Sequence, residues 1–126
     1  MSSTSIKSVP ARPDVVDYTI VMSYSFSNEW RALGREARHA FEAEHVFPIL
    51  ARYRDRLVFR SYDADAFTTR TSDFMIFETQ DLSAFYYLVE ELRDSQFLAL
   101  GYAAITDVLI GINNEYKRAA PLEAAA

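Results

Sequence analysis

The chain has 126 residues, half of them hydrophobic, a net charge of -5 and no cysteine. This length fits one compact domain with a single core. Lys and Arg are spread thinly along an acidic chain, which argues against a nucleic-acid partner. The lack of cysteine excludes disulfides, thiolate nucleophiles and thiolate metal sites. We find neither the apolar core of a signal peptide nor an unbroken membrane span, so we expect a cytoplasmic protein without a membrane partner.

The first half of the domain predicts a strand followed by a helical stretch. Residues 1–16 are rich in Ser and Pro and predict a flexible tail, as do residues 117–126, with one domain over residues 17–116. Tyr18 to Phe26 alternates large and small side chains, which is typical of a strand. Ser27 or Asn28 can cap a helix there, and Pro48 predicts a kink or a restart. The apolar positions of this helix are Trp30, Leu33, Ala37, Ala40 and Phe41.

The second half predicts two strands, a helix and a final strand. Leu57 to Tyr62 and Ser72 to Glu78 are joined by a short link, so they should pair antiparallel. Asp81 can cap the second helix and Gly101 can end it, before a last strand from Ala104 to Ile112. The order β-α-β-β-α-β predicts an α+β, ferredoxin-like fold, in which two helices cover one face of a four-stranded antiparallel sheet. Right-handed connections place the first and third strands at its centre.

Both faces of the predicted sheet are apolar, but two helices cover only one of them. We therefore expect a second copy of the chain to cover the other face. The result is a homodimeric α/β barrel with an enclosed space between two sheets. A pocket closed by the chain's own tails is the alternative.

Three segments of the chain resemble the darcynin family of small bacterial proteins. They are FRSYDADAFTTRTSDFMIFETQDL, YYLVEELRDSQF and INNEYKRA, and the similarity extends from about Tyr18 to Tyr116. The family has no settled activity, so the resemblance implies a dimeric α/β-barrel-like fold and transfers no catalytic assignment. The positions that match what the family keeps are Arg60, Asp63, Asp73, Glu78, Glu90, Arg93 and Tyr116.

Charged residues inside two strand-like segments suggest a functional site. A charge in a strand must face water, a partner or a cavity, and Arg60, Asp73 and Glu78 are expected to converge on the sheet. Arg60 would hold a substrate with Glu78 beside it, and Asp73 or His45 would move protons. For Arg60, Asp73 and Glu78 the alternative is a structural ion pair across the hairpin. Glu78 has a second alternative, a capping cluster at the start of the second helix, and the alternative for His45 is a surface position.

The aromatic residues, eight Tyr and nine Phe among them, mostly predict core and dimer interface. Some of them would also line an apolar pocket with a few hydroxyls, which suits an aromatic or polyketide-like ligand. Tyr86 is the expected catalytic hydrogen-bond donor, with Tyr62 as the alternative. The expected ligand contacts are Tyr24, Tyr62, Phe77 and Trp30.

The sequence favours a cofactor-independent enzyme that isomerises, cyclises or oxygenates a small organic molecule. His39 and His45 are six residues apart and do not share a helical face, so we expect no metal site. A non-catalytic small-molecule-binding or accessory protein is the alternative, and heme binding through His39 or His45 is a third hypothesis. A catalytic site should direct Arg60 and a carboxylate into a cavity, whereas an accessory protein should direct them outward.

Overall fold

The computed structural model describes residues 17–113, so both expected tails and Tyr116 lie outside the described residues. Its strands are β1 Tyr18–Phe26, β2 Val58–Asp63, β3 Asp73–Thr79 and β4 Ala103–Ile112. Its helices are α1 Asn28–Ala32, α2 Arg35–His45, α3 Phe47–Ala51, α4 Leu82–Asp94 and α5 Gln96–Ala99. The predicted order of strands and helical stretches is confirmed, but each stretch is divided into shorter helices.

The first helical stretch is divided at Gly34 and at Val46. Ser27 caps α1 as predicted, because its Oγ accepts a hydrogen bond of 3.2 Å from the backbone N–H of Trp30. Gly34 separates α1 from α2 with a φ of 81°, a backbone angle that residues with a Cβ rarely adopt. Pro48 lies in the first turn of α3, where its missing N–H costs no helical hydrogen bond.

The second helical stretch begins at its predicted cap and ends early. The Asp81 carboxylate accepts a hydrogen bond of 3.0 Å from the backbone N–H of Ser83. Extended backbone at Ser95 then ends α4, and Gly101, with a φ of 77°, turns the chain into β4 only after α5. α4 has 13 residues, and no helix within residues 17–113 is long and apolar enough to cross a bilayer.

The sheet has the order β2-β3-β1-β4, with every neighbouring pair antiparallel. The predicted central position of the first and third strands is therefore confirmed. The pairing of β1 with β4 shifts at one point, because Ser23 is opposite Asp107 while Tyr24 is opposite Ile105. Thr106 is the extra residue of a β-bulge at this position.

The helices cover one face of the sheet. Ile20 and Met22 of β1 and Met75 and Phe77 of β3 are buried on this helix-covered face, in one cluster with residues of α1, α3, α4 and α5. The residues that precede and follow these along each strand point to the opposite face of the sheet, which no helix covers and which we call the open face. The open face carries Val21, Val58, Arg60, Tyr62, Phe74, Ile76, Glu78 and Leu109, and Leu109 is 67% exposed.

Candidate functional site

A cavity of about 280 Å³ lies between the helix-covered face and the helices. Four polar residues contribute to its wall: Tyr24, Glu42, Ser61 and Asp73. The apolar wall consists of Met22, Phe26, Val46, Phe47, Leu50, Met75, Leu92, Phe97, Leu98, Ala103 and Ile105. A mainly apolar pocket with a few polar groups is the usual form of a small-molecule site, so this cavity is the candidate functional site.

Strand register brings the polar groups of the cavity together. Tyr24 of β1 is directly opposite Asp73 of β3, and Ser61 of β2 is opposite Met75, two residues along the same face. Side chains directly opposite each other in antiparallel strands stand about 5 Å apart at Cβ. Glu42 reaches the same cavity from α2. The phenol, the hydroxyl and the two carboxyl groups therefore face one space.

The carboxyl group of Asp73 changes its charge close to neutral pH. Burial, followed by the negative charges of Asp63, Asp65 and Glu42, raises the pKa of Asp73 from 3.8 to about 6, and Arg31 opposes this rise. A carboxyl group with such a pKa accepts and returns a proton at physiological pH. Asp73 is therefore the residue of this cavity that is best suited to acid–base chemistry.

Tyr24 presents a neutral phenol to the cavity. Burial raises the pKa of Tyr24 far above its ordinary value, the charge of Asp73 raises it further, and the hydrogen bond with Ser61 opposes these effects. The phenol therefore keeps its proton at neutral pH and can donate it in a hydrogen bond. Burial also raises the pKa of Glu42, against the opposing charges of His39 and Arg38.

The structure does not bring Arg60, Asp73 and Glu78 together, so the expected convergence is wrong. Arg60 is opposite Ile76 on the open face, where Glu78 also lies, whereas Asp73 belongs to the helix-covered face. The Arg60 guanidinium lies 5.5 Å from the centre of the Tyr62 ring. No ion pair joins Arg60 to a carboxylate among the residues that the structure describes.

Tyr62 and Glu78 are also separated from the cavity by the sheet. The Tyr62 ring stacks on Phe74 at 4.9 Å between centroids, on the open face. Glu78 has a buried Oε1 without a hydrogen-bond partner. Glu78 lines a surface pocket with Asp81, and the Asp81 carboxylate itself accepts the hydrogen bond that caps α4.

The predicted His45 and Tyr86 lie on helices outside the cavity. His45 ends α2, with Nε2 3.6 Å from the Glu44 carboxylate and its ring 4.4 Å from that of Phe41. Tyr86 is 59% exposed on α4 and contacts Tyr87 edge to face. Neither side chain lines the cavity.

Phe77 and Trp30 belong to the core that supports the cavity. Phe77 is fully buried, and Trp30 stacks on the cavity residue Phe26 at 5.7 Å between ring centroids. Of the site residues predicted from the sequence, only Tyr24 and Asp73 line the cavity.

Sequence reasoning missed Glu42 and Ser61. Glu42 lies one helical turn before Val46, which is buried in the cavity wall, and this spacing of four residues was the available signal. Ser61 follows Phe59 by two residues in β2, so the two share a face. Within residues 17–113, no group of three His, Asp or Glu side chains is arranged to hold a metal ion.

Comparison with known protein families gives one match over the full chain. The model of the family described as "Darcynin, domain of unknown function" matches residues 1–126. Darcynin 1 from Acinetobacter baumannii is 36% identical over 85 residues, which cover 68% of this chain and 93% of that protein. Darcynin from Chromobacterium violaceum is 39% identical over 70 residues, which cover 56% and 87%.

Solved structures with the same fold are more distant in sequence. A heme-binding protein from Thermus thermophilus has a TM-score of 0.70 at 16% identity, covering 81% of this chain and 42% of that chain. A mutant chlorite dismutase from Candidatus Nitrospira defluvii has a TM-score of 0.69 at 14% identity, covering 86% and 45%. The chain thus spans less than half the length of these proteins. At such identities the likeness establishes the ferredoxin-like fold alone.

Proposed function

We propose that this chain, which belongs to the darcynin family of unknown function, is a cofactor-independent enzyme that transfers protons on a small, mainly apolar organic molecule. The observation that carries this proposal is the meeting of Asp73 and Tyr24 in one apolar cavity. Such a cavity buries the apolar part of a bound molecule and leaves a few polar groups to orient it. Isomerisation and cyclisation are the reactions that this arrangement serves best.

Asp73 acts as the general base in this proposal. With a pKa of about 6, its carboxylate removes a proton from a carbon next to a carbonyl group, and the resulting acid returns that proton elsewhere. Return of the proton to a different carbon of the same molecule completes an isomerisation. Attack of the carbanion on a second carbonyl carbon, followed by protonation of the new alkoxide, completes a cyclisation.

Tyr24 stabilises the negative charge that this step creates. Its phenol remains protonated and so can donate a hydrogen bond to the carbonyl oxygen as that oxygen gains charge. A carboxylate base paired with a neutral tyrosine donor is the arrangement that ketosteroid isomerase uses for this chemistry. The Ser61 hydroxyl group lines the same cavity and opposes the rise in the pKa of Tyr24.

Heme, which the Thermus thermophilus neighbour binds, does not fit this cavity. Heme iron takes an axial ligand from His, Cys, Met or Tyr, but His39 and His45 do not line the cavity and the chain has no Cys. The phenol on the cavity wall, Tyr24, is held in its neutral form. Met22 and Met75 also line the cavity, but they are only 3% and 5% exposed and are packed in the hydrophobic core. The cavity wall also carries two carboxyl groups, Glu42 and Asp73, which disfavour a propionate beside them.

A binding protein without catalysis is the second candidate, and the position of Arg60 favours it. Arg60 points to the open face, as expected of an accessory protein. Asp73, however, lines the cavity, as expected of an enzyme. The two candidates therefore differ in whether a bound molecule exchanges protons.

Proton exchange on bound ketones tests the proposal. The chain is incubated in D₂O with a panel of small aromatic and polyketide-like ketones, and loss of C–H signals is followed by NMR. Enzyme-dependent exchange that disappears in Asp73→Asn supports the proposal, with Asp94→Asn at the exposed end of α4 as the matched control. Thermal stabilisation by a ketone without exchange would establish the binding protein. Equal exchange in wild type and Asp73→Asn would overturn the role of Asp73.

The same proposal includes a second copy of the chain on the open face. Val21, Ile76 and Leu109 form an apolar patch there on the two central strands and β4. A contiguous apolar surface of this kind favours association with a partner. A homodimer with two apposed sheets would bury it and leave each cavity on the outer, helix-covered side.

A further inference from the structure

A second hollow, of about 400 Å³, adjoins the cavity and shares Phe26 and Asp73 with it. We refer to it as the charged cleft. Its remaining walls are Trp30, Arg31, Arg38, Asp63 and Asp65. A molecule with a polar end and an apolar end can therefore occupy both spaces, with Phe26 and Asp73 at their junction.

Two guanidinium groups on the helical side of the charged cleft are held in place by hydrogen bonds. Arg31 Nη2 donates to the Ser72 hydroxyl at 3.3 Å, and Arg38 Nη1 donates to the backbone carbonyl of Arg31 at 3.0 Å. A guanidinium has five N–H donors. Each of these two side chains therefore keeps donors for a ligand after its structural bond is made.

Three carboxyl groups line the opposite side of the charged cleft. Asp63 and Asp73 are opposite each other in β2 and β3, and Asp65 follows in the connecting loop. Among the residues that the structure describes, none of the three forms an ion pair with Arg31 or Arg38. The cleft therefore presents both signs of charge across an open space, without neutralising them internally.

We propose that the charged cleft binds the head group of a small zwitterion whose apolar body fills the cavity, the class to which apolar α-amino acids belong. A simple anion would be attracted by Arg31 and Arg38 but repelled by the three carboxylates. A simple cation would be attracted by the carboxylates but repelled by the two guanidinium groups. A zwitterion places its carboxylate on the guanidinium side and its ammonium on the carboxylate side, with charge-assisted hydrogen bonds to both. The inference rests on the proposed function, because it describes the polar end of a substrate whose apolar, carbonyl-bearing part lies in the same cavity; the amino acids serve as probes of that polar end.

Comparison of a zwitterion with its two halves tests this inference. Thermal unfolding of the full chain is measured with L-phenylalanine and L-leucine, and in parallel with 3-phenylpropionate, 2-phenylethylamine and the neutral 3-phenyl-1-propanol. A ligand of the folded state raises the Tm with concentration. We expect both amino acids to raise the Tm, and each charged half of phenylalanine to bind at least about tenfold more weakly than the whole.

Variants of the charged cleft complete the test. Arg38→Gln and Asp65→Asn should each weaken L-phenylalanine binding about tenfold or more and leave 3-phenyl-1-propanol binding unchanged. Arg93→Gln and Asp94→Asn, at exposed positions of α4, are the matched controls and should change neither. Halves that bind as tightly as L-phenylalanine, or amino acids without any effect on the Tm, would overturn the inference. Stabilisation by 3-phenyl-1-propanol in that case would leave the cavity as a site for uncharged molecules, so the two proposals can fail separately.

Discussion

Tyr24 and Asp73 are directly opposite each other in the register of β1 and β3, and both side chains leave the sheet into the same cavity. This relationship places a donor that keeps its proton beside an acid that loses its proton near neutral pH. Burial is the largest cause of both pKa shifts, so the apolar wall of the cavity sets the chemistry of both groups.

Removal of the Tyr24 hydroxyl should reduce catalysis with little effect on folding. We expect Tyr24→Phe to lower the rate of ketone proton exchange by roughly 100- to 1000-fold, the usual effect of losing one oxyanion donor. The free energy of unfolding should change by about 1 kcal/mol or less. Tyr62→Phe, on the open face, is the control and should keep the wild-type rate. A fully active Tyr24→Phe would contradict the assignment of Tyr24 as the donor.

The contribution of Asp73 to the stability of the protein should fall as the pH rises from about 4 to about 6. Between these values the native Asp73 holds its proton while the unfolded chain has released it, so the unfolded state binds fewer protons. The full shift corresponds to roughly 3 kcal/mol, and partial exposure of the carboxyl reduces the expected effect to about 1 kcal/mol. Urea unfolding of wild type and Asp73→Asn across this pH range measures it. Identical pH profiles would show that Asp73 has an ordinary pKa.

Phe77 should contribute stability without contacting a ligand. It is fully buried on the helix-covered face, so Phe77→Ala should lower the free energy of unfolding by about 3–5 kcal/mol. Phe67→Ala is the control, because Phe67 is 90% exposed and its loss should change stability by about 0.5 kcal/mol or less. Chemical denaturation measures both values. A mild effect of Phe77→Ala on stability with a strong loss of ligand binding would restore the sequence-based assignment.

Association of two copies through the open face should make the protein a dimer in solution. Sedimentation at micromolar concentration should give about twice the chain mass of 14.4 kDa. Leu109→Arg, which places a charge in the apolar patch, should give the single-chain mass. Leu100→Arg lies just beyond α5, at a residue with similar exposure, and should remain dimeric. A wild-type monomer at this concentration would contradict the proposed second copy.

Arg60 should have no part in ligand binding. Because its side chain lies on the open face beside Tyr62, Arg60→Ala should leave the ligand-induced rise in Tm unchanged. Asp73→Asn should reduce that rise for the same ligand. A selective loss of ligand-induced stabilisation in Arg60→Ala would instead support the role that the sequence assigns to this residue.

Local patterns predict the four strands and the two helical stretches of the fold, but not the division of each stretch into shorter helices. The alternation from Tyr18 to Phe26 gave β1 its observed limits, and Asp81 marked the start of α4. The sequence predicts the end of the second helix at Gly101, because glycine is a strong helix-ending signal. In the structure α4 ends earlier, at Asp94, where the extended backbone of Ser95 stops the helix. Such a boundary depends on how the following segment packs, which a local pattern does not contain.

The candidate site depended on strand faces, which the sequence left open. Arg60 and Asp73 are separated by a loop, and a shift of one residue in their pairing would exchange the faces of every side chain in one strand. Since both faces are apolar, hydrophobic pattern does not select the register. Residue type is enough to make Asp73 and Tyr24 candidates, whereas their meeting in one cavity depends on the register of β1 with β3.

The single extra residue at Thr106 marks the position where β4 can lose one residue without changing its register with β1. Ahead of it Ile105 points into the cavity beside Tyr24, and beyond it Leu109 reaches the open face. Deletion of Thr106 would place Asp107 directly after Ile105 and restore regular alternation, with Leu109 still on the open face. Loss of one codon beyond the bulge, at Val108 for example, would instead turn Leu109 toward the helix-covered face and Ile110 toward the open face.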